Sequence, residues 1–179
     1  MSTADQLCLC WFVLCGLLHC FFEGFWISNH QSLATSQSFF AHLWKEYALS
    51  DARYMISDPF VLTVETLTVY IWGPLSFLTA FIIASGSKKT RKIREILQII
   101  VSVGHLYGVA LYFGTCYFAE QHTGVSYSRP EWLYYWVYYV GLNILWAIVP
   151  TVLLFSSVRS ICLPDAPAPD AVEKQKKIE

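Results

Sequence analysis

The stretch FVLTVETLTVYIWGPLSFLTAFIIA (residues 60–84) decides the fold. It is long enough to cross a bilayer as a helix, which takes about 20 mainly apolar residues, and its one charged side chain is Glu65. Three more runs, roughly 6–27, 96–119 and 132–158, meet the same requirement. The expected fold is therefore all-α: a polytopic transmembrane helical bundle of four spans, occupying residues 1–160. Composition agrees, because 55% of the side chains are hydrophobic and only 14% are charged, whereas a soluble domain usually carries about a quarter charged residues. The net charge of −1 leaves no basic excess to neutralise phosphates, which excludes nucleic acid as a partner; the expected surroundings are a lipid bilayer.

The first run lacks a preceding basic segment and a small-residue cleavage site, and it carries His19 and Glu23, so it is expected to stay in the mature protein. The six cysteines mostly sit inside apolar runs without C-x-x-C or Cys/His zinc spacing, and read as small apolar core residues. Residues 28–59 are polar and aromatic and have room for a short interfacial helix, with Asp58 as N-cap and Pro59 at the mouth of the second span. Lys88, Lys89, Arg91, Lys92 and Arg94 all fall between the second and third spans, and the last segment adds Arg159, Lys174, Lys176 and Lys177. The opposite side has Lys45, Arg53 and Arg129, so the basic loop and the tail are expected to be cytosolic. Residues 161–179, rich in proline and charge, read as a disordered tail, and Lys176-Lys177 before the last two residues resemble a dilysine retrieval signal read in the cytosol.

A carboxylate at mid-span costs about 2.5–3.5 kcal/mol on insertion scales, so it faces the bundle interior and marks function. Glu23 and Glu65 are the acids placed there. His19 and Glu23 are spaced i, i+4 and share a helix face, as do Glu65 and Thr68 at i, i+3. A structural His–Glu pair, and a Thr68 hydroxyl bonded to its own backbone, are the plainer readings. In the fourth span Trp132 to Tyr139 fit an interfacial aromatic belt, while Asn143 and Trp146 lie deeper on one face. Asn143 must bond across helices at that depth, and an indole face attracts a cation without acting as a base. Proton donors and acceptors, a hydroxyl, an amide and a π face, with no phosphate loop, nucleophile elbow or other cofactor motif, suit proton addition and removal through a carbocation on a lipid-soluble substrate. No cofactor and no metal is expected.

From about residue 7 to 158 the chain resembles the emopamil-binding protein family of EXPERA-type membrane domains, the sterol delta-8 to delta-7 isomerases. The stretches that carry the resemblance are His19-x-x-x-Glu23-Gly24, Trp44-Lys45-Glu46-Tyr47, Asp51-Ala52-Arg53-Tyr54, Glu65-Thr66-Leu67-Thr68, Trp72-Gly73-Pro74, Tyr107-Gly108 and Asn143-x-x-Trp146. The resemblance implies a cofactor-independent isomerase of the endoplasmic reticulum that protonates sterol C9, passes through a C8 cation and loses a proton from C7. It assigns acid–base work to His19, Glu23 and Glu65 and cation stabilisation to Trp146. Thr68 and Asn143 would line the sterol pocket, and Tyr47, Asp51, Arg53 and Tyr54 would shape its mouth. It also implies inhibition by cationic amphiphilic amines that mimic the cation, and admits a homodimer. The family has five spans, the first of which has no counterpart among the four read here. Animal members carry Gln and Asp where His105 and Val109 stand, and His105 reads as a bundle-facing polar residue. Two rival functions share these residues: a non-catalytic sterol and amine binder on the same scaffold, as in the emopamil-binding-like and sigma-2-receptor-like proteins, and a proton-coupled channel or transporter, for which inverted repeats and broken spans are lacking.

Overall fold

The computed structural model describes residues 1–163; of the stretch read as a disordered tail, Ile161 and Cys162 instead continue the last helix, and residues 164–179, Lys176 and Lys177 included, lie outside the described ones. Among the described residues there are no strands, and four helices are long and apolar enough to cross a membrane: α1 (Thr3–Asn29), α3 (Pro59–Ser85), α4 (Arg91–Thr123) and α5 (Leu133–Cys162). The short helix α2 (Phe39–Tyr47) lies between α1 and α3. Each span overshoots its apolar run, because hydropathy marks the hydrocarbon while the backbone stays helical until something caps it. Ser2 and Asp5 form a capping box at the start of α1. The Asp58 carboxylate accepts from the amides of Phe60 and Val61, next to Pro59. Gly86 and Gly124, at φ of 59° and 69°, end α3 and α4 in the left-handed conformation that glycine adopts without strain.

Two apolar clusters hold the bundle. At the end bearing α2, Trp26, Leu33, Ala41, Trp44, Tyr54 and Val61 pack together; toward the other end, Phe12, Ala80, Ile83, Val101 and Leu153 do so. Along α1, α3 and α4 the residues between these clusters are the polar ones singled out by sequence: His19 and Glu23 between Phe12 and Trp26, Glu65 and Thr68 between Val61 and Ala80, His105 beyond Val101.

Close helix approach at this middle level depends on glycine. A methyl group on Gly73 would lie 2.5 Å from the Cys20 sulfur and 3.2 Å from the His19 Cβ, and one on Gly104 would lie 2.7 Å from the Trp72 ring. Small residues at such crossings let membrane helices meet backbone to backbone.

The connection between α2 and α3 is tied down by one buried ion pair. Arg53 is 2% exposed and Asp51 0%. The Arg53 Nε donates to both Asp51 oxygens at 3.0 Å and its Nη2 to Oδ2 at 2.6 Å, while Nη1 reaches Thr115 on α4 at 2.8 Å. The guanidinium sits 4.9 Å from the Tyr112 ring centre and 5.0 Å from that of Tyr127. Burial opposes the charge, but the Asp51 carboxylate more than offsets this and holds the Arg53 pKa above its ordinary value. Backbone bonds from Ala52 to Tyr127 and from Arg129 to Leu49 stitch the same connection to the segment before α5.

Removing one member of a buried pair strands the other and costs about 3–5 kcal/mol. Arg53→Met is therefore expected to lower the thermal unfolding midpoint in detergent far more than Arg129→Met, whose ion pair with Glu131 is half exposed; equal midpoints for the two variants would refute the bracing role.

Candidate functional site

Three of the four spans depart from α-helical winding at the level between the clusters: Leu18–Glu23 in α1, Thr68–Trp72 in α3 and Leu133–Leu142 in α5 are π-helical. Such i→i+5 segments concentrate at functional sites. Sequence reading missed them, and the nearest signals are Gly24 and Gly73, each directly after a π segment. The widened turns border a cavity of about 560 Å³ with a mostly apolar wall.

The residues predicted for the site divide into two groups. His19, Glu23, Glu65, Thr68, Asn143, Trp146, Tyr47 and Tyr54 all line this cavity. Asp51 and Arg53 do not; they form the buried pair behind Tyr54 that ties its loop to α4. Their connection to the site runs through the backbone to Tyr54.

His19 is 3% exposed and both its ring nitrogens are engaged. Nδ1 lies 2.9 Å from each Glu23 oxygen, and Nε2 lies 3.1 Å from Nε2 of His105 on α4. Two imidazole nitrogens that close share a single hydrogen, so Glu23, His19 and His105 form one hydrogen-bonded chain across two helices. His105 is thus a cavity residue whose role sequence reading did not find; its signal was only a polar side chain in an apolar span.

Facing this chain, the Tyr54 hydroxyl donates to Glu65 Oε1 at 2.5 Å. Burial, and then the charge of Glu65, raise the Tyr54 pKa well above the phenol range, so this hydroxyl keeps its proton and donates. Glu23 and Glu65 both line the cavity, which brings carboxyls from α1 and α3 to one space. The Thr68 hydroxyl donates to the Val64 carbonyl at 2.9 Å, the plainer of its two readings, and Thr68 also lines the cavity.

Asn143 bonds across helices, as its depth requires. Its Nδ2 donates to the Tyr47 hydroxyl at 3.2 Å and to the Tyr139 carbonyl, in the π segment, at 2.8 Å. Burial raises the Tyr47 pKa despite the Asn143 bond. The Trp146 ring centre lies 6.2 Å from that of His19 and 5.3 Å from that of Trp11, and its buried Nε1 has no hydrogen-bond partner among the described residues. Cys15, His19 and His105 place three potential metal-ligating atoms within 4.8 Å of one another, all buried; in the structure the two imidazoles bond each other instead.

The arrangement can do proton chemistry in an apolar setting. Two carboxyls and a histidine pair hold exchangeable protons beside an indole face, in a space that admits a large hydrophobic molecule.

Comparison with known proteins shows the family. The family model "EXPERA (EXPanded EBP superfamily)" matches residues 39–157. The chain is 36% identical to the 3-beta-hydroxysteroid-Delta(8),Delta(7)-isomerase of Rattus norvegicus over 164 residues, 90% of this chain and 67% of that protein. It is 34% identical to the probable isomerase of the same name in Oryza sativa subsp. japonica, over 90% of this chain and 70% of that one. It is 35% identical to an isomeliandiol synthase of Melia azedarach, over 90% and 73%. The chain spans about two thirds of the length of the mammalian relatives. With its cavity lined by the polar residues of four spans and this match over most of its length, the chain belongs to the EXPERA, or expanded emopamil-binding protein, superfamily.

Proposed function

We propose that the chain is a sterol delta-8 to delta-7 isomerase that moves a ring double bond by protonation and deprotonation inside the membrane, without a cofactor. The observation that carries this reading is the meeting of Glu65 with the Glu23–His19 pair on one apolar cavity, supported by relatives named for that reaction in mammals and plants. At about 560 Å³ the cavity falls within the range of roughly 300–1,000 Å³ typical of ligand pockets.

In the proposed reaction the C8=C9 π electrons form a C9–H bond with a proton from the carboxyl set, leaving a cation at C8. The electrons of a C7–H bond then become the C7=C8 double bond, and the released proton passes to a second member of the set. No electrons are gained or lost and the proton count closes, so neither a redox group nor a co-reactant is required. Trp146 presents its face to the cation, and Tyr54 and His19 hold the carboxyls against the cost of burial by hydrogen bonding. The proposed setting is the endoplasmic reticulum membrane, with the basic loop before α4 and the C-terminus, which carries Lys176 and Lys177, on the cytosolic side, where basic residues near span ends collect.

The test is growth and sterol content of isomerase-deficient yeast expressing the chain. The chain is expected to restore delta-7 sterols. Removing a positioned acid or base costs typically 10²–10⁴-fold, so Glu65→Gln and His19→Ala are expected to lose turnover by about that factor. A cation–π contact is worth about 0.5–2 kcal/mol, so Trp146→Phe, which keeps a weaker π face, is expected to lose less. Full activity in Glu65→Gln would remove Glu65 from the mechanism.

The same cation-stabilising site is expected to bind hydrophobic tertiary amines whose ammonium takes the place of the C8 cation. Competition of such an amine with sterol, measured with a radiolabelled amine on membranes, is expected to weaken in Trp146→Ala and Glu65→Gln. An amine that binds both variants as tightly as the parent would place the amine site elsewhere.

A further inference from the structure

One face of α4 carries polar side chains from the end of the bundle into the cavity: Glu95, Gln98, Ser102 and His105, at 9%, 2%, 1% and 5% exposure. Their i, i+3, i+7, i+10 spacing keeps them on the inward side of the helix. The apolar cluster of Phe12, Val101 and Leu153 is at this depth, so apolar side chains would have packed here at less cost.

Several of these polar groups are only partly satisfied. Gln98 Nε2 donates to Ser157 Oγ at 2.7 Å, but Gln98 Oε1, Ser102 Oγ and His105 Nδ1 are buried with no hydrogen-bond partner among the described residues. Ser76 Oγ on α3 and Trp11 Nε1 on α1 are in the same condition. These groups come from neighbouring helices: Gly73 on α3 abuts His19 and Trp72 abuts Gly104, which sets Ser76 one turn farther from the cavity, as Ser102 is from His105.

An orphaned buried polar group costs about 1–3 kcal/mol, and internal water with two to four partners is the usual remedy. Steps of three or four residues along α4 correspond to roughly 4.5–6 Å, which one water bridges with two hydrogen bonds. Next to Glu95 in sequence, Arg94 lines a second cavity of about 310 Å³ together with Asp5 and Thr90 and donates to Asp5 at 2.6 Å.

We propose that Gln98, Ser102, Ser76, Trp11 and His105 hold a file of internal water joining this second cavity to the His105–His19–Glu23 chain, through which the site exchanges protons with bulk solvent. After each double-bond shift the donor group is one proton short and the acceptor one proton over. One proton leaves along the file and one returns, and the balance is zero. In the relay, a proton arriving at His105 Nδ1 lets the hydrogen shared by the two Nε2 atoms pass to His19, which becomes an imidazolium beside Glu23. The purpose of the file rests on the isomerase reading, but its existence does not.

Radiolytic footprinting tests it directly, because hydroxyl radicals generated in place oxidise side chains that touch bound water. With the protein in lipid nanodiscs and no sterol present, Trp11 and His105 are expected to oxidise severalfold faster than Trp26, which is fully buried and bonds the Tyr54 carbonyl. The double variant Ser76→Ala, Ser102→Ala adds no bulk and is expected to slow oxidation at His105 toward the Trp26 rate. Trp11 and His105 oxidising no faster than Trp26 would overturn the proposal, as would a folded double variant with unchanged labelling. A chain that isomerises sterol with a dry seam would lose the file and keep its function; a labelled seam in a chain without isomerase activity would do the reverse.

Discussion

Ionisable groups placed where the solvent is hydrocarbon must find their partners inside the protein, and most of this structure can be derived from that requirement. Glu23 leans on His19, His19 on His105, and Glu65 on Tyr54, so each carboxyl in the cavity is held by a donor from elsewhere in the chain. The helices that supply these groups are fixed relative to one another by the need to complete the bonds. Leaving any member alone would cost several kcal/mol in a setting where water offers no substitute.

That requirement also explains what surrounds the site. Tyr54 reaches Glu65 only because its loop is pinned by Arg53 and Asp51, whose pairing is itself buried and itself completed by Thr115. The π segments widen three spans at the level of the cavity, and glycines at 73 and 104 bring α3 against α1 and α4. A rigid frame around mobile protons is the arrangement that acid–base chemistry requires, since the groups must stay within hydrogen-bond reach while their charges change.

The polar seam along α4 extends the same argument beyond the cavity. Proton exchange with bulk solvent is easiest where polar groups lead out of the hydrocarbon, and in the proposed file the buried serines, Gln98 and His105 lead toward Arg94 and Asp5. Their orphaned atoms would be a defect in a purely structural core, where burial without partners is destabilising.

The sequence by itself determined the class of fold and the identity of the chemical groups. Length and hydropathy require four spans because the hydrocarbon has a fixed thickness, and the cost of charge in lipid singles out Glu23 and Glu65. The i, i+4 spacing placed His19 against Glu23 because a helix repeats nearly every four residues. What only the tertiary structure decided are the contacts between separate elements: His105 against His19, Tyr54 against Glu65, and Asn143 against Tyr47. These pairs are 86, 11 and 96 residues apart in sequence, and no local periodicity encodes which helices meet or at what height. The same holds for Asp51 and Arg53, which motif matching placed at the pocket mouth and which packing placed behind it. Two charges fully withdrawn from solvent satisfy each other there, and Tyr54 alone carries their effect to the cavity.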